Sequence, residues 1–78
     1  MAIIYTKHAV EMLSLRRIKR DQVEKCIEGP DEILSAREGK TIYLKDFGKN
    51  FLKMIVSEEG EDIVVVTLYW LAKKRLKR

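Results

Sequence analysis

The spacing of apolar residues changes once along the chain, at Gly29-Pro30. Before that point they recur every three to four residues, and after it they alternate. A short apolar run, Ala2 to Tyr5, comes first and predicts a strand. Thr6 then offers a hydroxyl that can take an orphan amide of the first turn, which predicts a helix over 7–16. Ala9, Val10, Met12, Leu13 and Leu15 give this helix a broad apolar face. Arg16 and Arg17 close it where the macrodipole favours cations. Ile18 is an apolar anchor in the turn. A second helix is predicted over 20–28, with Asp21 and Glu24 as a capping box, or with Asp21 in the first turn. Its buried stripe is Val23, Cys26 and Ile27. Gly29-Pro30 stops it, because Gly permits a left-handed cap and Pro cannot continue the ladder. Two short helices so tightly joined are expected to pack as a hairpin.

Beyond Pro30 the alternation predicts four strands: Ile33 to Arg37, Thr41 to Phe47, Phe51 to Ser57, and Ile63 to Leu71. Glu38-Gly39, Gly48-Lys49-Asn50 and Glu58-Glu59-Gly60 supply the turns. The last run is too apolar for a half-wet strand and too β-branched for a good helix, so it is expected to be the central strand. The fold class is α+β, in the order β-α-α-β-β-β-β, with the helix pair on one face of an antiparallel sheet.

Strict alternation divides the strand residues into two faces. The apolar-rich set, Leu34, Ala36, Ile42, Leu44, Leu52, Met54, Val56, Val64, Val66, Leu68 and Trp70, is expected beneath the helices. The other set includes Arg37, Tyr43, Lys45, Phe51, Lys53, Ile55, Thr67 and Tyr69, and interleaves basic with aromatic groups. Such a face neutralises phosphates and offers flat partners to unpaired bases. It equally describes an ordinary exposed sheet whose side chains pair across strands, and a single bulge would exchange the two faces.

The 78 residues make one domain, 1–78, with a thin core. Charged residues are 36% of the chain, and no apolar stretch approaches the roughly 20 residues of a spanning helix. Nothing resembles a signal peptide, and a single cysteine excludes an internal disulfide, so a cytoplasmic location without membrane contact is expected. The net charge of +4 is a tail effect: Lys73, Lys74, Arg75, Lys77 and Arg78 crowd the end, while the remainder carries 11 basic and 12 acidic side chains. That tail either aids solubility or seeks phosphate.

His8 is the only histidine. His8, Met12 and Arg16 lie four apart on one helical face, and Glu11 is three after His8. A histidine, a carboxylate and guanidinium groups suit RNA cleavage by transesterification. That reaction needs a base for the 2′-hydroxyl, an acid for the leaving oxygen and cations for the phosphorane. The bland alternatives are a packing histidine, a surface Glu11 and an Arg16 serving the helix end. Tyr69 is either a stacking or acid group or a plain strand aromatic. Cys26 reads as core. Phosphate loops and metal-ligand spacings are missing, so no cofactor or metal is expected.

Tyr5-Thr6-Lys7-His8-Ala9 through Arg16-Arg17-Ile18, then Gln22-Val23-Glu24, Gly29-Pro30 and Thr67-Leu68-Tyr69, resemble the DUF4258 family. That family looks like a branch of the RelE/ParE-type toxins, alongside the BrnT-like toxins. The resemblance implies a RelE-like domain with a curved sheet, possible endoribonuclease action on mRNA, free or on the ribosome, and a cognate antitoxin protein. On it, His8, Glu11, Arg16 and Tyr69 are the catalytic candidates. Arg37, Tyr43, Lys45, Lys53, Lys73, Lys74 and Arg75 are the RNA-binding ones. The family's first arginine on the helix is Met12 here, its usual glycine is Arg17 and its serine-type cap is Lys19. Met12, which removes a phosphate contact, and the absence of a clear catalytic cluster favour the alternative, a non-enzymatic module or inactive relative that engages a partner protein. A gyrase target, as in ParE, is the third reading.

Overall fold

The computed structural model describes residues 2–73. Two helices pack on a five-stranded mixed sheet. The strands are β1 (Ile3–Tyr5), β2 (Glu32–Ser35), β3 (Thr41–Asp46), β4 (Asn50–Glu59) and β5 (Asp62–Ala72), and the helices are α1 (Lys7–Arg16) and α2 (Arg20–Glu28). The spatial order is β1-β5-β4-β3-β2. β2 to β5 form an antiparallel meander, and β1 lies parallel to β5, pairing Ile3 with Ile63 and Tyr5 with Val65. The sheet is therefore mixed rather than antiparallel. β4, not β5, is central, because β1 returns to the outside of β5.

Thr6 caps α1 as its sequence predicts. Its Oγ1 accepts the Ala9 N–H at 3.0 Å and donates to the Val66 carbonyl at 3.0 Å, tying the helix start to β5. Ala9 and Leu13 are buried and Met12 packs against the core, whereas Val10 and Leu15 are exposed. The buried stripe is thus narrower than the expected five-residue face. α2 has the expected limits, but its cap is Lys19 rather than Asp21, and the Gln22 side-chain oxygen accepts the Lys19 N–H at 2.9 Å. Asp21 sits in the first turn, where its charge complements the dipole. α1 packs on β5 and β1, and α2 packs on β3.

The left-handed residue falls not at Gly29, whose φ is −142°, but at Arg17, with φ 57° and ψ 50°. There the Ile18 N–H reaches back to the Leu13 carbonyl at 2.9 Å. A side chain in this conformation costs about 1 kcal/mol, and glycine adopts it freely. Arg17→Gly is expected to stabilise the domain by about 0.5–1 kcal/mol, measured as a rise in urea midpoint with unchanged slope.

The core joins Ala9, Leu13, Ile18, Val23, Cys26 and Ile27 to Leu52, Met54 and Val56 of β4 and Ile63, Val65 and Leu68 of β5. β4 has the expected parity. β5 does not keep one parity: Val56 pairs with Val65 and Ile55 with Thr67, leaving Val66 as an extra residue in a bulge. Before it, Ile63 and Val65 face the helices, in place of Val64 and Val66. After it, Leu68 and Trp70 do, as expected. β3 is reversed: Tyr43 pairs with Met54 and enters the core, while Leu44 and Ile42 lie opposite Lys53 and Ile55 on the other face.

Cys26 is fully buried. Burial pushes its thiol from 9.0 up to about 11, against a smaller lowering by Lys45. The unfolded chain loses this proton first on raising pH. The stabilisation is therefore complete below about pH 9 and is lost as pH rises through about 11. Native protein at pH 8 is expected to resist a thiol reagent that labels the urea-unfolded chain at once. Labelling in the native state would show the helix layer to be open.

Candidate functional site

The helices cover one face of the sheet. On the opposite face the β4–β5 register sets Phe51 beside Leu71, Lys53 beside Tyr69, and Ile55 beside Thr67. Pairs facing each other across antiparallel strands lie on the same side, so these six side chains form one block. Leu44 and Ile42 of β3 border it. One end of the block is basic and aromatic. The Lys53 ammonium lies 5.6 Å from the centre of the Tyr69 ring, and that of Lys73 lies 5.8 Å from Phe51. Attraction between cation and ring holds both lysines over the sheet.

His8 enters this face from the side. β1 pairs β5 only as far as Val65, and the chain then turns into α1 next to the bulge. The Thr6 N–H donates to the Val65 carbonyl and the Thr6 hydroxyl to that of Val66. This double anchor brings the His8 Nε2 to 3.0 Å from the Thr67 Oγ1. Thr67 is two residues before Tyr69, about 7 Å along the strand and on the same face. An imidazole, a hydroxyl, a phenol and an ammonium thus line one strip. The ring is exposed, with Nε2 held by Thr67.

The other predicted residues divide. Glu11 is exposed on α1 and makes no ion pair among the described residues. Arg16 ends α1, and its carbonyl accepts the Trp70 indole N–H at 2.9 Å. The expected strand over 33–37 stops at Ser35, and Arg37 begins a 3-10 turn, Arg37–Gly39, off the sheet face. Tyr43 lies beneath the helices, its hydroxyl donating to Glu58 at 3.3 Å. Burial, then the Glu58 charge and that hydrogen bond, raises its pKa. Lys45 is also on the helix side, where its Nζ donates to the Gly29 carbonyl at 2.8 Å and neutralises the end of α2. Lys73 pairs with Asp46 at 2.9 Å, and with the Gly48 N–H this lowers the Asp46 pKa. Lys74 and Arg75 lie outside the described residues.

The expected basic–aromatic face therefore survives as Phe51, Lys53, Thr67 and Tyr69. It loses Arg37, Tyr43 and Lys45. Thr67, the partner of His8, stands in the sequence only as a member of this face and of the Thr67-Leu68-Tyr69 motif, not as a catalytic or RNA-binding candidate.

Fold and site together define a small α+β domain with one sheet face covered by helices and a histidine reaching the other. A family profile described as Domain of unknown function (DUF4258) matches residues 5–70, and the chain belongs to that family. No curated protein and no solved structure matches it.

Proposed function

We propose that the chain is a RelE-like, toxin-type RNA-binding protein that cleaves mRNA by metal-independent transesterification and is held in check by a cognate antitoxin. The observation that carries the reading is the contact of His8 with Thr67 beside the Lys53–Tyr69 pair. In this reading a single-stranded segment lies over β4 and β5, with a base against Tyr69 or Phe51 and a phosphate at Lys53. His8 takes the 2′-hydroxyl proton, the 2′-oxygen attacks phosphorus, and the bond to the 5′-oxygen breaks. The leaving oxygen takes a proton from an acid, for which Tyr69 is the candidate, and a 2′,3′-cyclic phosphate remains. Arg16 and Glu11 contribute charge at the rim of the helix rather than contacts to the reacting atoms.

A second reading, a non-enzymatic module for a partner protein, is favoured by the aliphatic end of the same face. There Ile4 lies beside Val64 on β1 and β5, and Ile55, Ile42 and Leu34 follow one another across β4, β3 and β2. Met12, packed into the core, also offers no phosphate contact. The test is induction in cells together with incubation of the pure protein with RNA, for wild type and His8→Ala. The RNA reading expects growth arrest and RNA loss, both relieved by the substitution. Arrest with intact RNA, or a variant as active as wild type, speaks for the partner-binding reading.

A further inference from the structure

The meander ends in an unguarded strand. β2 pairs with β3 on one side, and among the described residues nothing pairs with its other side. Proteins usually blunt such an edge with lysine, proline or a strong twist. Here the strand is Glu32-Ile33-Leu34-Ser35, and its two large apolar side chains are 58% and 45% exposed. The Ala36 N–H donates to the Lys40 carbonyl, continuing the register in which Leu34 faces Ile42. In an antiparallel ladder every second residue bonds to its partner, so Ile33 and Ser35 turn their backbone groups outward.

We infer that two copies of this chain pair through β2, antiparallel about a two-fold axis passing beside Leu34. That register matches the outward groups of Ile33 with those of Ser35 in the second copy, twice, for four new backbone hydrogen bonds. Leu34 meets its own counterpart in the close, non-hydrogen-bonded position, and Glu32 falls opposite Ala36. Just beyond the paired segment, where each copy turns off the strand into the 3-10 turn, the basic Arg37 approaches the acidic Asp31 of the other copy, whose carboxylate also accepts the Asp46 N–H. Opposite charges thus come near one another at both ends of the segment. Leu34 and Ile42 share the uncovered face, so pairing joins the two uncovered faces into one ten-stranded surface with all four helices on the other side. A short edge contact buries less than a standard interface and is expected to dissociate in the micromolar range or above.

The experiment is sedimentation of the full chain over a range of concentrations, with air oxidation of Leu34→Cys and Ile33→Cys in parallel. Wild type is expected to pass from monomer to dimer as concentration rises. Leu34→Lys, which sets two charges together on the axis, is expected to stay monomeric while keeping the wild-type circular dichroism. Leu34→Cys is expected to form a covalent dimer, since the two Cα atoms lie about 4.5 Å apart in such a pair. Ile33→Cys is not, because its neighbour is Ser35. Buried Cys26 forms none in the wild type. A wild type that remains monomeric throughout, dimers unaffected by Leu34→Lys, or cross-linking through position 33 instead of 34 would overturn the proposal.

Discussion

Cutting Leu68 back to alanine is expected to cost about 2–5 kcal/mol and lower the melting temperature by roughly 10 °C or more. Leu68 is fully buried, pairs with Met54, and is the first residue past the bulge to face the helices. A chain of this length holds little stability in reserve, so the loss removes much of the folded population under mild denaturant. The neighbouring valines sharpen the test. Val65 is fully buried, and Val65→Ala is expected to cost about 2 kcal/mol. Val64 lies on the uncovered face opposite Ser57, and Val64→Ala is expected to cost well under 1 kcal/mol by the usual size of surface changes. Equal losses at the two positions, measured by urea unfolding, would mean that the bulge is misplaced.

Replacing His8 by alanine is expected to lower the rate of RNA cleavage by about 10²–10⁴, the usual contribution of a positioned acid or base. Binding is expected to change little, because in this reading Lys53, not the imidazole, meets the phosphate. Thr67→Val keeps the shape and removes the hydroxyl that orients the ring. It is expected to slow cleavage about tenfold and to change the pH profile, as a positioning group does. Lys53→Glu acts on the other term. It reverses a charge at the centre of the strip, so affinity falls and the salt dependence of binding weakens by about one phosphate contact. Separate effects on rate and on affinity, read from single-turnover kinetics and from titration at several salt concentrations, distinguish chemistry at His8 from docking at Lys53.

Helix limits were readable because their signals are local. Thr6 caps through an amide three residues away, and Pro30 ends α2 without reference to anything distant. β4 was readable too, since Leu52, Met54 and Val56 make one side wholly apolar while Lys53 and Ser57 interrupt the other. The faces of β3 and of the start of β5 were not. In β5 every residue from Ile63 to Val66 is aliphatic, so nothing in the residues marks which one is extra. The extra residue's carbonyl accepts the Thr6 hydroxyl, sixty residues away, a contact that no local pattern marks. In β3 the apolar count favours burying Ile42 and Leu44. Two long-range contacts go with the opposite choice: the Tyr43 hydroxyl finds Glu58, and Lys45 finds the carbonyl of Gly29, which caps α2. Both residues can bury a large apolar body while placing a polar tip at its partner. The site suffered in proportion. Lys53 and Tyr69 were placed correctly because they follow the correct halves of β4 and β5. Tyr43 and Lys45 lie on the helix side with their strand, against the expectation from alternation.

The central claim is that RNA engages the face away from the helices, beside the His8–Thr67 contact. Titrating a short unstructured RNA into labelled protein and following backbone and side-chain resonances tests it most directly. Shifts are expected at His8, Phe51, Lys53, Thr67 and Tyr69, with α2, Tyr43 and Lys45 unmoved. Shifts confined to the helix side, or a spectrum indifferent to RNA at low salt, would contradict it.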